Sequence, residues 1–248
     1  MPPTDQRPEP TTNHDAARRS RALGVAVALA VALVLVVLAV VIRRHGAPTA
    51  LANSPLGAPI VRLFNAIREH VYFARDDHCL RQLAMANVGF QFVAAPQRRD
   101  ACPLRNVVRV LPTHLLRRPL YMTCRLARAL DRWDREVLQP AAQERFGQPV
   151  AQLIENGVRN CRPVAGYRSL LSEHAFANAI DVEGFVLGDG RTIDVAGDRN
   201  GDDARGEFLR EVAARGCDVF RTVLGPGFDA SHGRHLHLDM GLLGGCRP

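Results

Sequence analysis

The sequence predicts an α+β protein that sits behind a single N-terminal membrane-spanning helix and is stapled by disulfides. Three observations carry this expectation. Ala22–Ile42 holds no charged residue; all six cysteines lie C-terminal to it; and near residue 157 helical periodicity gives way to short apolar runs broken by glycine.

The chain has 248 residues, a formal net charge of +7 and 47% hydrophobic residues. Every one of its 32 basic residues is arginine. No basic run with interleaved aromatics occurs, so nucleic acid is not expected as a partner. The charge is compatible with an anionic wall polymer or a membrane surface.

Residues 1–21 are rich in Pro, Thr, Asp and Arg and read as a disordered cytoplasmic tail. At 1.5 Å per residue, the run 22–42 spans roughly 30 Å, the thickness of a bilayer core. Arg7, Arg18, Arg19 and Arg21 precede it, against Arg43 and Arg44 after it, which favours a cytoplasmic N-terminus. The expected location is therefore a bacterial inner membrane, crossed once, with the C-terminal part in the periplasm. "APTALA" (47–52) offers a cleavage site, but the length of the apolar run favours an uncleaved anchor. Residues 43–59 read as a linker.

From 60 to 157 the pattern is mostly helical. Ile60, Phe64, Ile67 and Val71 recur at helical spacing, as do Leu126, Leu130, Trp133 and Val137, and both stripes read as core. Asp76 and Asp77 read as a helix cap rather than metal ligands. In 158–248, "DVEGFVLGDGRTIDV" reads as a hairpin turning at Gly188–Gly190, "GEFLREVAARGC" as a helix, "TVLGPGF" as a loop and "HLHLDM" as a final strand. Cys79, Cys102, Cys124, Cys161, Cys217 and Cys246 are dispersed, as disulfides are in an exported chain, and allow fifteen connectivities. Bridges from the first three to the last three would make 60–248 one domain.

The chemistry concentrates in "SEHAFANAID" (172–181) and "HGRHLHLD" (232–239). Alternation puts His235 and His237 on one strand face and Leu236 and Leu238 on the other. Atoms bound to one zinc at about 2.0–2.2 Å lie no more than about 4.4 Å apart, so His174 must sit on a loop that folds back to the strand of Asp181. Two imidazoles and one carboxylate leave a coordination position open, the pattern of a catalytic zinc. Calcium or magnesium would want more oxygens.

"GYRSLLSEHAFANAIDVEGFVLGDGRTIDV" and "FLREVAARGCDVFRTVLGPGFDASHGRHLHLDM" resemble the extensin-like C-terminal family of bacterial exported proteins. That family is similar in turn to the LAS zinc peptidases, which include D-alanyl-D-alanine carboxypeptidases, murein endopeptidases and the sonic hedgehog fold. The resemblance implies a small antiparallel sheet with helices, and one catalytic zinc held by His174, Asp181 and His237. It implies that His235 orients the attacking water or takes its proton, that His232 is a further active-site histidine, and that Arg168 stabilises the oxyanion. Ser172 is expected to brace the His174 loop and orient that ring. Ala177 stands where the peptidase pattern has glycine, a damaging change if φ there is positive. The implied function is a peptidase or amidase acting on peptidoglycan peptide crosslinks. The alternative is a catalytically inactive envelope protein that binds cell wall or a partner, since a fold does not dictate a function.

Overall fold

Two sheets organise the chain in the computed structural model, which describes residues 49–94, 102 and 104–248. Helices α1 (Thr49–Ala52), α2 (Gly57–Tyr72) and α3 (Asp77–Met85) lead into an antiparallel sheet of β1 (Phe90–Val93), β2 (Val107–Val110) and β3 (Leu120–Met122). Helix α4 (Cys124–Trp133) continues through a π-helical turn, Asp134–Leu138, into α5 (Gln139–Phe146). The main sheet contains β4 (Val150–Glu155), β5 (Ala179–Leu187), β6 (Thr192–Asp194), β7 (Thr222–Leu224), β8 (Leu236–Asp239) and β9 (Gly245–Arg247). Its order is β4-β5-β8-β7-β9 with β6 on β5, and only β7 and β9 run parallel. Helices α6 (Val195–Asp198) and α7 (Ala204–Gly216) fill the connection from β6 to β7.

The α+β class stands, with several local corrections. The tail, the apolar run 22–42 and residues 43–48 lie outside the described residues, among which no helix is long and apolar enough to cross a membrane. The linker expected to reach residue 59 is already helical at Thr49–Ala52 and from Gly57. The stretch 60–157 is not wholly helical: it supplies β1–β3 and also β4, the neighbour of β5 in the main sheet. Thr222–Leu224 form a strand where a loop is expected, because β7 fills the gap between β8 and β9, which follows the expected last strand. Thr49–Pro248 make one compact unit.

The disulfides are Cys79–Cys124, Cys102–Cys161 and Cys217–Cys246. Only the second ties the first half to the site-bearing half. Asp76 caps α3, accepting a hydrogen bond from the Cys79 N–H at 2.9 Å.

The α4 stripe is core as expected: Leu126, Leu130, Trp133 and Val137 are all buried. The Trp133 indole packs on Phe185 and Phe220 and donates to the Val212 carbonyl at 3.0 Å, joining α4 directly to α7. The α2 stripe behaves otherwise. Ile60 and Ile67 are exposed, and the helix buries Arg68 and Tyr72 instead.

One irregularity in β5 sets up the site. Ile180 and Val182 are buried at even positions, Phe185 and Leu187 at odd ones. The phase changes where Val182 pairs with Glu155 but Gly184 with Ile154, leaving Glu183 as the extra residue of a bulge. Val182 and Phe185 both reach the core, while Asp181 is left on the opposite face. Glycine is required at the bulge, since a Cβ on Gly184 would meet the Ile193 carbonyl oxygen at 2.5 Å.

Candidate metal centre

Asp181 and His237 are directly opposed partners on antiparallel β5 and β8, so their side chains share a face. His174 arrives from a single 3₁₀ turn, Glu173–Phe176, rather than an open loop. The turn's first N–H groups need a cap, and the Ser172 hydroxyl accepts from the His174 N–H at 3.3 Å. The Ser172 contact is thus with the backbone of the turn, not with the ring. The ring itself is held by the Val158 carbonyl, 2.9 Å from His174 Nδ1.

Three atoms converge. His174 Nε2 lies 3.1 Å from Asp181 Oδ1 and 3.1 Å from His237 Nδ1, which is itself 3.0 Å from Asp181 Oδ1. Ligands bound to one zinc at about 2.0–2.1 Å in tetrahedral array lie about 3.3 Å apart, and slightly closer when the angles between them narrow. The outer nitrogens decide which lone pairs point inward. A carbonyl can only accept, so His174 Nδ1 carries a proton, and in the neutral ring Nε2 is the nitrogen with the lone pair. His237 Nε2 faces Asp239 Oδ2 at 3.0 Å, which holds a proton on the outer side of that ring as well. Once the inner nitrogens give up the protons they share with Asp181, two imidazole lone pairs and a carboxylate oxygen aimed at one point suit a cation, and outer acceptors of this kind accompany metal-binding histidines.

The electrostatics favour positive charge at the same place. Burial lowers the proton affinity of His237, but hydrogen bonds to Asp181 and Asp239 outweigh it and raise the pKa to about 9. Burial alone would raise Asp181, yet the hydrogen bonds from His174 and His237 hold its carboxyl well below the usual carboxylate range.

Two further histidines stand beside this triad. His232 and His235 have ring centroids 5.5 Å apart, and His232 lies 5.7 Å from His237. His235 Nε2 is 3.5 Å from Asp181 Oδ1; its proton affinity is lowered, chiefly by burial. His232 Nδ1 bonds Asp229 Oδ1 at 2.7 Å, and the same oxygen accepts from the Ser231 hydroxyl at 2.6 Å. The Asp229 carboxylate thus fixes the ring and leaves Nε2 of His232 as an acceptor. Arg168 is exposed, its backbone N–H donating to Asn53 at 2.7 Å. Among the described residues its guanidinium makes no hydrogen bond or ion pair.

Beneath the 3₁₀ turn lies a buried polar cluster that periodicity does not reveal. Glu173 accepts from Arg68 at 2.7 Å, from the Tyr72 hydroxyl at 3.1 Å and from Asn178 at 2.9 Å. Asn178 Oδ1 accepts from the Thr123 hydroxyl at 2.7 Å. Phe176 packs edge-on to Tyr72 and under the Arg68 guanidinium. The cluster clamps the residues on either side of His174. Two partners stand at spacings visible in the sequence: Asp239, two residues after His237 on the same strand, and Asp229, three residues before His232.

Ala177 does occupy the left-handed region, with φ 53°. That conformation costs an L-residue about 1–2 kcal/mol relative to glycine. Against this stand a methyl that is fully buried, worth about 0.8 kcal/mol, and a less flexible unfolded chain, worth about 0.4–1 kcal/mol. The terms nearly cancel. Its N–H bonds the His174 carbonyl at 3.1 Å and its carbonyl accepts from the Thr123 N–H at 2.9 Å, so the turn keeps its shape.

The model of the family described as "Extensin-like protein C-terminus" matches residues 77–247, well over half of the chain, and the chain belongs to that family. No curated protein and no solved structure matches it. The matched region contains the whole triad but begins after α2.

Proposed function

We propose that this extensin-like protein is a zinc-dependent hydrolase of peptidoglycan peptide crosslinks, as the resemblance to the LAS peptidases implies. It is tethered to the bacterial inner membrane through residues 22–42 and faces the periplasm. The observation that carries the reading is the inward convergence of His174 Nε2, Asp181 Oδ1 and His237 Nδ1 within 3.1 Å of one another, with both rings braced from outside. Imidazole and carboxylate donors in that ratio suit zinc better than calcium or magnesium.

His174, Asp181 and His237 hold the ion, while Val158 and Asp239 keep the rings in the required tautomers. Zinc bound there supplies Lewis acidity, polarising a carbonyl and bringing the pKa of a water from about 15.7 toward 7. His232 takes the proton of the attacking water and passes it to the leaving amine, and Asp229 stabilises the imidazolium in between. Such a group contributes about 10²–10⁴-fold. His235, kept neutral by burial, orients the water beside Asp181. Arg168 opposes the charge that builds on the carbonyl oxygen.

The test uses the purified full chain with murein sacculi. Asp181→Ala is expected to lose stoichiometric zinc and all release of muropeptides. Cleavage retained by that variant overturns the assignment, and so does a wild type that binds sacculi without releasing fragments.

A further inference from the structure

Helix α2 is turned inside out. The side it gives to the protein is polar: Asn65 donates to the Ser169 carbonyl at 2.6 Å, and Arg68 donates to the Leu171 carbonyl and to Glu173, both at 2.7 Å. Tyr72 completes that side, accepting from the Leu242 N–H at 2.9 Å. The large aliphatics point the other way. Leu56, Ile60, Leu63 and Ile67 are 82%, 47%, 57% and 41% exposed. At about 100° per residue these four fall within roughly 60° of one another, so they form one stripe along the helix. The polar bonds behind it join residues more than 100 apart in sequence, so the helix cannot roll to bury the stripe without breaking them. A row of large apolar side chains held in solvent marks a contact surface.

The chain around α2 indicates what covers it. The uncharged run Ala22–Ile42 ends 14 residues before Leu56. Fourteen residues reach about 50 Å at most when fully extended, and Thr49–Ala52 are coiled into a helical turn. Arg43 and Arg44 close the apolar run, and Arg62 is exposed on α2 itself. The helix's only acid, Glu69, is already paired with Arg105 at 2.8 Å. Apolar stripe, cationic flank and a short tether to a membrane span are the features of a helix lying in a bilayer interface.

We propose that α2 lies on the lipid bilayer with Leu56, Ile60, Leu63 and Ile67 among the acyl chains, giving the protein a second membrane contact. This rests on the reading that 22–42 anchors the chain. Through Arg68 and Glu173, the same helix sets the distance of the His174 turn from the membrane surface.

The test is the full chain carrying Leu63→Trp, reconstituted in phosphatidylcholine–phosphatidylglycerol vesicles with plain or dibrominated acyl chains. The signal of the unsubstituted protein, whose only tryptophan is the buried Trp133, is subtracted. Emission from the introduced indole is expected to shift to shorter wavelength and to lose most of its intensity in brominated vesicles. Emission at the wavelength of water-exposed tryptophan overturns the proposal. So does a shifted emission that bromine does not quench, which would mean that protein covers the stripe. Vesicle flotation separates the two levels: a chain that floats but is not quenched sinks only this inference, whereas a chain that does not float sinks the anchor reading with it.

Discussion

Replacing Asp239 by asparagine changes almost no volume and removes no proposed ligand, yet it should weaken zinc binding. One oxygen of the Asp239 carboxylate accepts from His237 Nε2 at 3.0 Å and the other from the Gly241 N–H at 2.7 Å. An amide offers one acceptor and one donor, so whichever way it turns, one buried N–H faces an NH₂ group. An unsatisfied buried donor costs about 1–3 kcal/mol. If the ring flips its proton inward to escape, the ligand lone pair is lost. At about 1.4 kcal/mol per decade, the expected loss of zinc affinity is about 10–100-fold, the range typical of partners behind metal ligands. Chelator-competition titration of wild type and Asp239→Asn at pH 7.5 measures it directly. Affinity unchanged within about threefold would refute the claim that Asp239 fixes the His237 tautomer.

Other substitutions test separate links. In chelator-treated protein, His237 is held at about 9, above its ordinary 6.5, so the stability it contributes is complete below pH 6.5 and lost as pH rises toward 9. Thermal melts should fall across that window and flatten in His237→Gln. Asp181, held below the carboxylate range, acts oppositely: its contribution is present above about pH 4 and lost on acidification, which Asp181→Asn should blunt. His232→Ala should cut turnover of muropeptides about 10²–10⁴-fold, and Asp229→Asn by less, with zinc content retained in both. Loss of zinc in either would assign these groups to metal binding instead. Arg68→Met leaves Glu173 buried without its cation and should cost about 3–5 kcal/mol in urea unfolding, while the pair Arg68→Met with Glu173→Gln recovers most of it. A single variant losing under about 1 kcal/mol would show the pair to be solvated.

Much of the candidate site is written in local chemistry. Alternation in "HLHLD" puts His237 on a face apart from the leucines, and reach alone requires the chain at His174 to fold back toward Asp181. The orienting groups are different. Val158 and Asp229 act through a backbone carbonyl and a turn, which leave no periodic trace, whereas Asp239 lies two residues after His237 on the same strand and shows in the alternation. The buried pairing of Arg68 with Glu173 spans 105 residues and follows no spacing rule.

The α+β class, the helical and strand periodicities of the largest elements, the cysteine inventory and the residue types able to hold a cation are all legible along the chain. They follow from short-range sterics and side-chain chemistry, which act between near neighbours. Which cysteines meet, where β5 bulges to turn Asp181 away from the core, and which face of α2 is left bare emerge only once distant segments pack together. A repeat of Ile60, Phe64, Ile67 and Val71 specifies an amphipathic helix but not the surface it meets. That depends on what the rest of the chain places against it, and here the chain presents a buried carboxylate, so the polar face turns inward.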